Sequence, residues 1–374
     1  MKKFVLLLCA ALVLTVSASA VDVEAPSALL MEKETGKVLF QKNAHEPLPP
    51  ASVTKIMTIL LTMEALDRGD LSEDTLIVTS AHAASMGGSQ IWLREHEQMA
   101  AGDMLKAVCV VSANDCAVAL AEQLAGSEAA FVEKMNARAK ELGMHDTQFQ
   151  NATGLPAEGH CTSAHDIALM SRELILHHPG IRKYTTIWMD TLRGGASKLT
   201  NTNRLIRFYP GATGLKTGST DAARYCLSAT AERDGMELIA VILKDDTSAK
   251  RFADARTLLY YGFAGWTLCR PKPEPPLSDL PVRLGTEPSV TPVLKEHSAL
   301  LLKKEQTGAL SQSVALPEEL EAPVHAGDVL GTLTVTADGK TAAEIPLLAE
   351  KTVPRLTWFQ LWRTLLKTAF LADG

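Results

Sequence analysis

No run of basic residues long enough to clamp a phosphate backbone occurs in this 374-residue chain, whose formal net charge is −6. Nucleic acid is therefore not an expected partner, because affinity for it comes from clustered Lys and Arg. Cysteine is scarce, six in all, and none of it has the close spacing of a zinc ligand set, so no metal is expected. Long apolar runs are missing too. Phe4 to Val16 is the apolar core of the N-terminal segment and is too short to span a bilayer comfortably. A phosphate-cradling loop is also absent: in Gly211-Ala212-Thr213-Gly214-Leu215-Lys216-Thr217, Leu215 stands where that motif needs glycine directly before lysine. No cofactor is expected. What remains is an ordinary globular composition, 46% hydrophobic and 21% charged.

The ends and breaks of the chain divide it. Lys2 and Lys3, the apolar core and Ala18-Ser19-Ala20 read as a secretory signal over residues 1–20. Five cysteines then remain, and buried free thiols are the favoured state of Cys109 and Cys116, which pair only if their turn brings the Cβ atoms together. Residues 21–270 mix strand hairpins with helices. Ala28–Met31 and Val38–Phe40 flank a Gly36 turn, and Tyr225–Ala229 and Leu238–Ile242 flank Asp234-Gly235. Helices are expected over about Ser52–Asp67, 101–111, 115–125, Glu128–Leu142, Ser163–His177 and Ser248–Tyr260. Prolines 271, 273, 275, 276 and 281 make a stiff linker over 271–281, and a β-rich domain follows over 282–352. In the tail, 353–374, Leu356, Phe359, Trp362, Leu365, Leu366 and Phe370 share a helical face, the pattern of a helix lying in a membrane surface.

Three short motifs carry the chemistry. Ser52-Val53-Thr54-Lys55 opens a helix whose apolar residues cover most of its circumference. Ser52 sits near the positive end of that helix, and Lys55 lies one turn on along the same face. Desolvation there lowers the Lys55 pKa and lets it take a proton from Ser52, the nucleophile. Ser112-Ala113-Asn114 falls between two helices. Ser112 is placed to relay a proton, and Asn114 to orient a carbonyl and Lys55. Lys216-Thr217-Gly218 lies on a strand, where Lys216 adds charge for an anionic substrate, Thr217 adds a hydroxyl and Gly218 admits a close backbone. Each motif alone is weak, since SxxK and Ser-Ala-Asn also serve as plain caps. Together they describe a serine acyl-transfer site.

With their flanks the motifs become specific. Pro50-Ala51-Ser52-Val53-Thr54-Lys55-Ile56-Met57-Thr58, Ser112-Ala113-Asn114-Asp115 and Gly214-Leu215-Lys216-Thr217-Gly218-Ser219-Thr220 resemble the serine D-alanyl-D-alanine carboxypeptidases, the low-molecular-mass penicillin-binding proteins. Asn151-Ala152-Thr153-Gly154-Leu155 and Arg251-Phe252-Ala253-Asp254 fit as well. The resemblance implies an α+β, β-lactamase/transpeptidase-like mixed sheet with flanking helices, then a small all-β domain and a C-terminal amphipathic helix. It implies a peptidoglycan stem peptide as substrate, acylation by β-lactams, and a location on the outer face of the cytoplasmic membrane. The backbone N–H groups of Ser52 and Ser219 would form the oxyanion hole, and Arg251 would help bind the terminal carboxylate. Asn201-Thr202-Asn203 departs from members that carry arginine between the asparagines; that charge is absent or supplied elsewhere, as by Arg204. A class A β-lactamase would need a Glu-x-x-Leu-Asn pattern, which this chain lacks.

Overall fold

The computed structural model describes residues 21–273, 275–295, 298–306 and 310–363. The expected signal over 1–20 and the part of the expected tail helix beyond residue 363 lie outside the described residues. The first unit is built on a five-stranded sheet: β1 (Ser27–Glu32), β2 (Val38–Lys42), β3 (Ala212–Thr220), β4 (Arg224–Arg233) and β5 (Met236–Asp245). Their order is β2-β1-β5-β4-β3. All four ladders are antiparallel, so the mixed sheet expected from the sequence is a fully antiparallel one.

Local chemistry explains the turns. Between β1 and β2, the Glu32 carboxylate accepts from the N–H of Glu34 at 2.8 Å and of Thr35 at 2.7 Å. Between β4 and β5, Asp234 and Gly235 have φ of 49° and 74°, the two positive values that a tight hairpin matching strand twist requires.

Both faces of the sheet are covered, and the alternation along β5 shows it. Ile239, Val241 and Leu243 join the core on one face, while Leu238, Ala240 and Ile242 join the core on the other. The first face carries α1 (Lys55–Arg68), α2 (Ala101–Val111), α3 (Asn114–Ala125), α4 (Glu128–Glu141) and α5 (Ala164–His177); the second carries α6 (Ser248–Gly265). Helix α6 runs past the expected end at Tyr260, because the apolar row Ala255, Leu258, Leu259 and Phe263 continues against the sheet. Helix α1 lies inside the first core, with Ile56, Met57, Ile59, Leu60 and Met63 all buried. Each such side chain contributes about 1.5–3 kcal/mol on leaving water. The buried helix is a fixed base for the residues at its start.

Beyond the proline-rich stretch, a four-stranded antiparallel sheet and a three-stranded one, the latter with one parallel pair, form the second unit. Trp266–Cys269 pairs with Leu300–Lys303 and ties the two units together. Residues 358–363 are helical, and Trp358, Phe359 and Trp362 are exposed. No helix among the described residues is long and apolar enough to cross a membrane.

Candidate active site

The three motifs converge where the start of α1 meets β3, the edge strand of the sheet. A 3₁₀ turn, Ala51–Thr54, presents Ser52 ahead of α1. Ala51 has φ of 49°, a left-handed conformation that costs an L-residue about 1–2 kcal/mol. Two glycines make this turn possible. A Cβ on Gly218 would fall 2.9 Å from the Ser52 nitrogen and 2.8 Å from the Pro50 oxygen. The close approach that Gly218 permits is thus first that of the nucleophile turn itself, a reason beyond the substrate approach expected from the sequence. A Cβ on Gly154 would fall 1.9 Å from the Ala51 oxygen.

Lys55 is fully buried, and its Nζ lies 2.9 Å from Ser52 Oγ. The same nitrogen donates to the Thr153 carbonyl at 2.6 Å. Burial, and next the charge of Lys216, hold the Lys55 pKa well below that of an ordinary lysine; Asp115 opposes them. Lys216, 1% exposed, is pulled down to about 7, chiefly by burial. Lys55, its pKa lowered by burial and set against the Ser52 hydroxyl, is suited to accept that proton rather than to act as a fixed cation.

Ser112 ends α2 in a left-handed conformation, φ 65°, and Asn114 begins α3. The Ser112 hydroxyl and Asn114 Oδ1 are both buried without a hydrogen-bond partner. Unpaired buried polar atoms are costly, and these two point to a ligand that completes them. Asn114 Nδ2 donates to Gly87 O at 2.7 Å. Thr217 is buried, and its hydroxyl donates to that of Thr202 at 2.7 Å. Thr202 therefore stands beside the third motif as a neutral hydroxyl. Ser219 follows on β3 and is exposed.

Arg251 is engaged mainly with backbone, while its Nε is buried without a hydrogen-bond partner among the described residues. It is 7% exposed, and its Nη1 donates to the carbonyls of Gly218 at 3.0 Å and Cys226 at 3.2 Å. Its Nη2 donates to Ser248 Oγ at 3.3 Å. Cys109 and Cys116 are separate, buried thiols whose pKa values burial pushes up, for Cys109 to about 12.

Three supports escaped the sequence reading. Asn151 Oδ1 accepts from Thr153 N and Gly154 N, an Asx turn that aims the Thr153 carbonyl at Lys55. His160 Nε2 lies 2.8 Å from Thr54 Oγ1, while its Nδ1 accepts from Gln150 N at 3.1 Å. Asp115, wholly buried, accepts from the N–H of Ile91 and Leu93. Asn-x-Thr-Gly was a readable turn signal; the partners of Asp115 and His160 are set only by the fold.

A hydroxyl on a strained turn, a depressed lysine against it and unpaired polar atoms opposite define a serine acyl-transferase site on a sheet-and-helix fold. Comparison makes the class particular. The family described as D-alanyl-D-alanine carboxypeptidase matches residues 14–247, and the family described as penicillin-binding protein 5, C-terminal domain, matches residues 274–355. The D-alanyl-D-alanine carboxypeptidase DacF of Bacillus subtilis is 44% identical over 333 residues, covering 88% of this chain and 85% of that protein. The structure of penicillin-binding protein 5 from Haemophilus influenzae superposes with a TM-score of 0.76 at 28% identity, covering 89% of this chain and 98% of that one. The ampicillin-bound form of penicillin-binding protein D2 from Listeria monocytogenes does so at 0.60 and 36% identity, covering 64% of this chain and 98% of that one. The chain belongs to the D-alanyl-D-alanine carboxypeptidase family and is a serine peptidase of that class.

Proposed function

We propose that Ser52 removes the terminal D-Ala from peptidoglycan stem peptides. Neutral Lys55 takes the Ser52 proton as Oγ attacks the carbonyl of the penultimate D-Ala. The backbone N–H groups of Ser52 and Ser219 stabilise the developing oxyanion. Ser112 passes the proton to the departing D-Ala amine, and Asn114 orients the substrate amide. Water then hydrolyses the ester and restores Ser52. The observation that carries this reading is the 2.9 Å approach of a fully buried lysine to the serine hydroxyl.

Lys216 and Thr217, with Thr202 beside them, receive the terminal carboxylate. Arg251 acts as a positioning residue: it holds the Gly218 carbonyl and adds positive charge behind β3. β-Lactams acylate Ser52 as mimics of the D-Ala-D-Ala terminus, a reading supported by the ampicillin-bound relative. The protein works on the outer face of the cytoplasmic membrane after signal removal, held there by the helix of the tail. The exposed Trp358, Phe359 and Trp362 support that attachment.

D-Ala release from a defined pentapeptide, measured beside turnover of benzylpenicillin, tests the assignment. Fast D-Ala release with a long-lived penicilloyl-enzyme is expected. Rapid penicillin hydrolysis with no D-Ala release would contradict it.

A further inference from the structure

Trp92 has a backbone φ of 56°, a conformation that bulky side chains rarely adopt. Such strain persists only where the surroundings impose it. Here they do. Ile91 and Leu93, on either side, are buried, and the N–H of each is held by the Asp115 carboxylate, at 3.1 and 3.0 Å. Arg193 grips the Ile91 carbonyl at 2.9 Å and the Glu97 carboxylate at 2.8 Å. The effect of all this bracing is to turn an indole outward: Trp92 is 74% exposed and has no ring or cation–π partner among the described residues. Burial would favour the opposite.

Beside the indole lies a hollow of about 630 Å³ whose lining includes Trp92, Arg94, Glu95, His96, Glu97 and Arg193. An apolar plate rimmed by hydrogen-bonding side chains matches a pyranose, which has an apolar C–H face and a rim of hydroxyl and amide groups. The loop is also moored to the second catalytic motif. Asn114 donates from its backbone N–H to Ser89 O at 2.7 Å and from Nδ2 to Gly87 O at 2.7 Å. Trp92 lies three residues beyond Ser89, a reach of at most ~11 Å. Four extended stem residues, the stretch between the scissile carbonyl and the sugar, cover ~13 Å.

We propose that Trp92 is a stacking platform for the glycan strand that bears the stem peptide, so that the enzyme reads sugar as well as peptide. This rests on the substrate class proposed above. The test compares wild type, W92A and W92F on the same pentapeptide, once free and once joined to its N-acetylated disaccharide. For W92A, kcat/KM on the glycan-linked substrate should fall at least tenfold, carried by KM, while the free peptide stays within twofold; W92F should restore most of the loss. Equal losses on both substrates would reduce Trp92 to a loop support and overturn the proposal, as would no loss on either. Binding of peptide-free glycan strands, followed by calorimetry, separates this idea from the catalytic one. Wild type should bind at least tenfold more tightly than W92A even if no D-Ala were released. Absence of binding to wild type would overturn the platform and leave the carboxypeptidase reading untouched.

Discussion

Replacing Gly154 by alanine should disable the enzyme without touching a catalytic side chain. Gly154 has φ of 81°, and its added Cβ would fall 1.9 Å from the Ala51 oxygen, 2.4 Å from the Ala51 carbonyl carbon and 2.8 Å from Thr54 Oγ1. Alanine has no rotamer to adjust, and the nearest two atoms are backbone. The loop must retreat by roughly 1.5 Å to regain ordinary contact. Thr153 moves with it, and its carbonyl, now 2.6 Å from Lys55 Nζ, leaves hydrogen-bond range. Lys55 loses the acceptor that aims it at Ser52, and a displacement of this size costs about 100-fold in rate, or ~2.7 kcal/mol. The assay is the second-order rate constant for acylation by a fluorescent penicillin, with a thermal melt to establish folding. Gly69 supplies the control: it ends α1 with φ of 79° and has no atom within 4 Å of an added Cβ. Gly69→Ala should cost about 1 kcal/mol of stability through its backbone alone and leave acylation unchanged. A Gly154→Ala enzyme that acylates within threefold of wild type would show that the Thr153 carbonyl does not hold Lys55 in place.

Three further outcomes follow from other parts of the molecule. Burial lowers the His160 pKa from 6.5 to about 4, so the unfolded chain binds that proton first as pH falls. Its contribution is complete above pH 6.5 and is lost between 6.5 and 4, on the order of 3 kcal/mol; urea melts of wild type and His160→Gln should diverge in pH slope across that window, and parallel slopes would count against it. The charge of Lys216 lowers the Lys55 pKa, so Lys216→Met should raise it and move the acid limb of the acylation pH profile to higher pH; an unmoved limb would show that the two amines are not coupled. Truncation after Leu356 keeps the contacts of Arg355 with Glu321 and of Leu356 with Leu284, and should release the signal-processed protein from membranes with D-Ala release intact; persistent retention would contradict attachment by the tail.

How much of this was legible depends on where the information lay. The hairpin at Asp234-Gly235, the stop at Gly69 and the buried circumference of α1 are local patterns, and the structure has each of them. Ser52 and Lys55 were readable because helical spacing alone puts them on one face. Thr153 was not, because its contribution is a carbonyl, and any residue there would offer one. Asp115 stands out in the sequence only as the residue after Ser-Ala-Asn in the family-like stretch; its partners Ile91 and Leu93 are more than 20 residues away in sequence. Arg251 read as a ligand contact; the packing of α6 against β4 and β5 sets its guanidinium on the Gly218 and Cys226 carbonyls, partners that no motif announces. A charged side chain announces its chemistry in the sequence, while the direction in which it spends that charge is decided by the fold.

The central claim is that Ser52, activated by a buried and depressed Lys55, is the acylated nucleophile. Incubating the protein with labelled benzylpenicillin, quenching and mapping the adduct by peptide mass spectrometry tests it most directly. Stoichiometric label on Ser52 is expected, with loss of label in Ser52→Ala and D-Ala release from pentapeptide blocked in proportion to labelling. Label on another residue, or full D-Ala release from a protein whose Ser52 is acylated, would contradict it.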